Sequence, residues 1–236
     1  MVPAAGDPHG PLPPLLLALT VVTGLVDAFS YLVLGQVFVA NMTGNVVLLG
    51  FALAGASGFS VSASLAALGG FALGALIGGR VSTQLGGHRG RLLAVAVAVE
   101  ALLVGAAVAV AATAGNPGSG VARYVLIVLL GLAMGTQSAA ARKLAVPDLT
   151  TTVLTITITG IFADGRLAGG VASRVGRRLL STLAMVLGGC AGALLVLRVS
   201  TPLGIGVALV VLCLVAVTAA AQSRTDRPWV HVARIP

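Results

Sequence analysis

The chain has 236 residues, of which 58% are apolar and 8% charged, with a net charge of +8 and a mean hydropathy of +1.08. Soluble domains carry ~25% charged residues, so a soluble globular domain and a disordered tail are both excluded. The basic residues stand in small clusters between nearly uncharged runs, which excludes nucleic acid as a partner.

What remains is a polytopic membrane protein. In a bilayer every backbone polar group must be satisfied internally, so only helices or a closed barrel can span. Barrel strands alternate apolar and polar residues over about ten positions. The apolar runs here reach ~20 residues, the length of a spanning helix. The fold class is therefore all-α, a polytopic helical membrane protein.

Residues 1–11 form a Pro- and Gly-rich tail with Asp7 and no basic residue; the first basic residue of the chain is Arg80. A secretory signal needs a positive start and a small-x-small cleavage site, so the first apolar run reads as a retained helix. That run is Leu12–Gly35, interrupted by Asp27. The other five are Val61–Gly79, Leu92–Thr113 with Glu100 inside, Tyr124–Ala141, Leu179–Leu197 and Leu203–Ala221. Two shorter apolar stretches, Val46–Ala56 and Leu149–Ala163, reach roughly 16 and 22 Å as helices, short of the ~30 Å hydrocarbon core. Cys190 and Cys213 sit inside apolar runs and read as small buried hydrophobes; no spacing suggests a disulfide framework or a metal site.

Charge chooses between topologies. If both short stretches cross, six basic residues fall inside and eight outside, a reversed bias. If both turn back, Arg80, Arg89, Arg91, Arg142, Lys143, Arg166, Arg174, Arg177, Arg178, Arg224, Arg227 and Arg234 lie inside, and Arg123 and Arg198 outside. The reading is six spanning helices plus two short re-entrant or half-spanning helices, both termini cytoplasmic, in a bacterial inner (cell) membrane. Seven spans with the N-terminus outside fit the basic residues equally well. A single transmembrane domain then covers residues 12–222, with halves of about 12–113 and 121–222, followed by a tail over 223–236.

The halves share an order of span, polar-headed short segment, Gly-rich span and span. Gly24–Ser57 aligns on Gly131–Asp164 at an offset of 107, with six identities in 34 positions. In the six-span topology these halves run oppositely, an inverted repeat of the kind transporters use. Gly70, Gly74, Gly78, Gly188 and Gly192 are spaced four apart, as in close helix packing.

Asp27 and Glu100 are intramembrane carboxyls, and such groups are functional hypotheses by default. Asp27 is a candidate proton or cation site or substrate contact and Glu100 a candidate for proton coupling; the alternative for each is a packing residue. Asn41, Thr43 and Asn45, and likewise Asp148, Thr150 and Thr152, have the composition of capped helix starts. Two such starts meeting near the midplane would offer N–H donors to a polar or anionic group. Gln137 is either interhelical glue or a pathway residue. The Arg174, Arg177, Arg178 cluster reads as a topology anchor.

Gly24-Leu25-Val26-Asp27-Ala28-Phe29-Ser30-Tyr31, with Phe38 and Met42-Thr43-Gly44-Asn45, resembles the first signature of the YoaK-like bacterial membrane proteins. Gly135-Thr136-Gln137-Ser138-Ala139-Ala140-Ala141-Arg142, with Val146-Pro147-Asp148-Leu149-Thr150-Thr151-Thr152, resembles the second. The resemblance implies a six-span bacterial membrane protein and no particular activity.

The leading functional expectation is a secondary transporter or channel for a small polar or anionic solute. The alternative is a non-transporting structural, lipid-interacting or partner-regulating membrane protein. No phosphate-binding loop of the G-x-x-x-x-G-K-[ST] type is present. Gly55-Ala56-Ser57-Gly58 imitates an intramembrane protease motif, but His9, His88 and His231 lie outside the spans, so an enzyme is not expected. No cofactor is expected. The expected partners are the lipid bilayer, an unidentified small solute and, as an allowed arrangement, further copies in a homo-oligomer.

Overall fold

A computed structural model describes residues 9–147, 149, 154–164, 175–224 and 228–230. Among these residues there are eight α-helices, one 3-10 turn and no strand: α1 (Leu12–Val33), α2 (Met42–Leu53), α3 (Val61–Leu85), α4 (Arg89–Thr113), α5 (Gly120–Leu144), α6 (Leu154–Ala163), α7 (Val175–Arg198), α8 (Thr201–Ser223) and the turn Pro228–Val230. Six of them, α1, α3, α4, α5, α7 and α8, have 22 to 25 residues and are apolar enough to cross a membrane, each rising about 33–38 Å. The chain is a polytopic helical membrane protein.

Local chemistry sets the helix ends. Prolines occupy the first turns of α1 and α8, where no intrahelical N–H is required. The Ser60 hydroxyl accepts the Ala63 N–H at the start of α3, and the His88 ring accepts the Arg91 N–H at the start of α4. α5 closes with Arg142 and Lys143 in its last turn, where cations complement the helix dipole. α3, α5 and α7 each run several residues beyond the apolar stretch seen in sequence, because their polar ends remain helical.

Contacts between helix ends fix the directions. At one end of the bundle the Trp229 ring lies against Gly10 and Gly90, Ser223 abuts Gly90, and the Arg89 guanidinium donates to the Leu144 carbonyl at 2.6 Å. At the other end Arg123 Nε donates to the Leu34 carbonyl at 2.7 Å, and the Ser62 and Tyr124 hydroxyls are 2.8 Å apart. Thus α1 and α4 run from the first end to the second, and α3, α5 and α8 run back. α7 is parallel to α1, since Gly188 meets Val21 and Gly192 meets Leu25. The first end carries Arg80, Arg89, Arg91, Arg142, Lys143, Arg177, Arg178 and Arg224, and the second Arg123 and Arg198.

The segment from α1 to α3 therefore leaves and returns at the second end, and the segment from α5 to α7 at the first. Neither short helix crosses. α2 packs on α3 and α6 on α7. In the α6–α7 contact Arg178 donates to the Gly160 carbonyl and pairs with Asp164 at 2.7 Å.

Packing exchanges helices between the halves: α3 lies on α5, and α7 on α1. Both crossings are built the same way. A Cβ on Gly70 or Gly74 would press on the carbonyl of Val128 or Leu132, and one on Gly188 or Gly192 on that of Val21 or Leu25. Val128 and Leu132 stand 107 residues after Val21 and Leu25 (128 minus 21, 132 minus 25). The glycines opposite them stand 118 residues apart (188 minus 70, 192 minus 74), so the two crossings resemble each other without sharing a single offset.

α1 and α5 form the centre, burying Leu12, Leu16, Leu19, Phe29, Leu126, Ile127, Leu130 and Met134 completely. Large apolar side chains such as Leu102, Leu187 and Val217 cover the outside, as lipid contact requires. Cys190 and Cys213 are exposed on this outer surface, not buried as their apolar surroundings suggested. A membrane helix is apolar on both faces, so hydropathy does not distinguish core from lipid.

Candidate functional site

Asp27 organises the segment that follows its own helix. It lies seven residues before Leu34, so about 10 Å inside the end of α1. Its Oδ1 accepts the backbone N–H groups of Val39 (3.0 Å) and Ala40 (2.9 Å). The chain must therefore fold back into the bundle after Gly35, which takes a positive φ of 83°. Asn45 completes the turn: its Oδ1 accepts the Phe38 N–H at 2.9 Å and its amide donates to the Phe38 carbonyl at 2.5 Å. Asn41 caps α2 by accepting the Gly44 N–H at 3.3 Å. α2 thus starts at the depth of Asp27 and runs outward to the Gly55–Gly58 turn, where Gly58 faces the Gln36 side chain. It is a re-entrant helix, coil inward and helix outward.

These side chains take up several of the N–H groups around the start of α2. The N–H groups of Phe38, Val39, Ala40 and Gly44 go to Asn45, Asp27 and Asn41, and that of Met42 goes to the Ala40 carbonyl. The second start of that expected pair, around Asp148, Thr150 and Thr152, lies outside the described residues.

Beside Asp27 lies a cleft of about 350 Å³ between α1, α7 and the head of α2. α1 supplies Gly24, Asp27, Ala28, Tyr31 and Leu32, a stripe at helical spacing. Asp27 is 5% exposed, and its Oδ2 has no hydrogen-bond partner among the described residues. Tyr31 and Phe38 stack at 4.8 Å on the wall, and Asn41 lies at the rim.

The other sequence candidates are dispersed. Asn45 is fully buried and outside the cleft lining, and Thr43 is exposed on the first turn of α2. Gln137 is buried where α5 meets α1; its amide donates to the Thr23 hydroxyl at 2.9 Å, which donates to the Leu19 carbonyl. Glu100 is fully buried on the bundle face of α4 and does not line the cleft. Asp148, Thr150 and Thr152 lie outside the described residues. Sequence reading missed Met185, Gly189 and Ala193 of α7. Their spacing of four was the available signal, but nothing local says that this face meets Asp27.

Comparison with known proteins agrees with this architecture. A family model described as "Protein of unknown function (DUF1275)" matches residues 15–219, a range that includes all six long helices in whole or in greater part. The chain belongs to the DUF1275 family. It is similar to the UPF0700 transmembrane protein YoaK of Bacillus subtilis (strain 168), with 37% identity over 187 residues, 77% of this chain and 81% of that protein. No solved structure matches the chain. The DUF1275 match covers the Asp27 turn and both glycine crossings, so these features lie inside the family region.

Proposed function

We propose that the chain is a secondary transporter or channel for a small polar solute, built as an inverted repeat, with its basic end in the cytoplasm of a bacterium. The observation that carries this reading is Asp27, a 5%-exposed carboxylate with one unpartnered oxygen, at the inner end of a re-entrant helix and beside a cleft. Re-entrant or broken helices around a polar site between oppositely running halves are a recurring transporter plan. An intramembrane carboxylate with unused acceptor capacity suits solute or ion contact more than packing. Placing the basic end inside follows the positive-inside rule and puts the first described residues and the Pro228–Val230 turn on the cytoplasmic side. No catalysis is proposed.

The non-transporting alternative draws on the same turn: Asp27 Oδ1 and Asn45 are both engaged in holding α2. Proteoliposomes separate the two. Solute-driven swelling against a panel of small cations, zwitterions, polyols and anions is expected to exceed that of empty vesicles for one class and to fall in the Asp27→Asn variant. Swelling equal to that of empty vesicles across the panel would favour the alternative.

A further inference from the structure

The cleft beside Asp27 has a one-sided chemistry. Among the described residues, Asp27 is its only charged lining residue and no Lys, Arg or His lines it. An anion there would meet a carboxylate and no counter-charge. Asp27 Oδ1 is occupied by two backbone donors, and the Asn41 N–H also stabilises the carboxylate, but Oδ2 makes no hydrogen bond among the described residues. A carboxylate oxygen buried in that state is costly, and a ligand N–H satisfies it.

The remaining surface defines what carries that N–H. Leu32, Met185 and Ala193 are apolar, and Tyr31 and Phe38 present a stacked aromatic pair. Such a wall suits an alkyl stem and attracts a cation over its rings. A hard divalent metal wants six or more oxygen ligands, which the Asp27 carboxylate, Asn41 carboxamide and Tyr31 phenol do not supply among the described residues. The volume of about 350 Å³ suits a small organic molecule.

We propose that the cleft between α1 and α7 binds an ammonium group on a short apolar stem, with Asp27 Oδ2 as its acceptor. The group belongs to a free alkylamine or to an aminophospholipid headgroup reaching in from the bilayer. Its role in permeation rests on the transport reading; binding itself does not.

The test uses the full chain in dodecyl maltoside without lipid, with calorimetric titration of n-butylammonium chloride, n-butanol and sodium butyrate at matched ionic strength. Butylammonium is expected to bind, and butanol and butyrate are not. Asp27→Asn is expected to weaken binding about tenfold or more. Gly189→Leu guards against a folding defect in that variant. A Cβ at Gly189 meets nothing within 4 Å and Gly189 lines the cleft, so a leucine there is expected to fill the cleft and binding should vanish; an unchanged unfolding midpoint shows that the variant is folded. Butyrate binding, or butylammonium binding unchanged in Gly189→Leu, overturns the proposal. Phosphatidylethanolamine added to the micelles identifies the source: competition supports the headgroup, and unaltered binding of the free amine supports the soluble ligand. Binding without flux in proteoliposomes removes the transport reading and leaves the site standing. Flux of another solute class without butylammonium binding does the reverse.

Discussion

Arg123, in the first turn of α5, donates its Nε–H to the carbonyl of Leu34, 89 residues earlier, at 2.7 Å. Leu34 follows the last turn of α1, where carbonyls lack intrahelical partners. The guanidinium also fills the space over Gly35. One side chain therefore joins the end of α1 to the start of α5 and holds the point where the chain turns back into the bundle. Replacing Arg123 by Ala should destabilise the protein by about 1.5–3 kcal/mol, the range for a hydrogen bond to a charged group. Thermal unfolding in detergent checks this; an unchanged midpoint would mean that water replaces the guanidinium without loss.

The Asp27 pin makes a local prediction. Asp27→Ala removes the acceptor for two backbone amides, so hydrogen exchange at Val39 and Ala40 should quicken on the order of 100-fold. Asp27→Asn retains one oxygen and should fall between the two. Exchange at Leu126 and Ile127 in α5 serves as the control and should not move. Equal exchange in all three proteins would show that the turn is held by Asn45 alone.

The glycine crossings separate into tight and open positions. A Cβ on Gly74 would lie 2.2 Å from the Leu132 carbonyl oxygen, whereas one on Gly69 or Gly79 meets nothing within 4 Å. Gly74→Ala should cost several kcal/mol or prevent folding. Gly69→Ala and Gly79→Ala should be neutral, or stabilising by up to about 1 kcal/mol through helix propensity. Detergent-resistant folded yield and the unfolding midpoint distinguish these outcomes. Similar behaviour of all three variants would contradict the close α3–α5 approach.

The proposed sidedness, with the basic end inside, is open to labelling. With Cys190 and Cys213 replaced, a membrane-impermeant thiol reagent applied from outside should label Gly115→Cys and Thr201→Cys and spare Gly87→Cys; a Cβ at Gly115 or Gly87 meets nothing within 4 Å. The reversed pattern would invert the molecule in the membrane, and labelling of all three would remove the six-span topology.

The six long helices were legible in sequence because an apolar run of spanning length has few alternatives. The turning back of both short segments was legible from length and basic residues together, since counting them as spans reversed the charge bias. The site was legible only in part. Asp27 stood out as a carboxyl in an uncharged run, but its partners are backbone amides 12 and 13 residues later in an irregular segment, and side-chain periodicity carries no information about such amides. For the same reason, only the structure shows that Asn45, Asp27 and Asn41 accept the N–H groups of Phe38, Val39, Ala40 and Gly44 around the start of α2. Gln137 meets Thr23 across 114 residues, and the α7 wall of the cleft is more distant still in sequence. These pairings depend on which face of one apolar helix meets which face of another, and glycine spacing was the only local trace of that choice.

The packing of α3 on α5 and of α7 on α1 has a bearing on how the molecule can be divided. Each half of the sequence lends a helix to the other, so neither encloses a core of its own, and a fragment ending near Gly115 would leave α1 without the helix that its Gly24 fits. The link around residues 114–119 then supplies connectivity more than cohesion. Two fragments cut there and expressed together should find each other in the bilayer and assemble, whereas either one alone should be cleared by proteolysis.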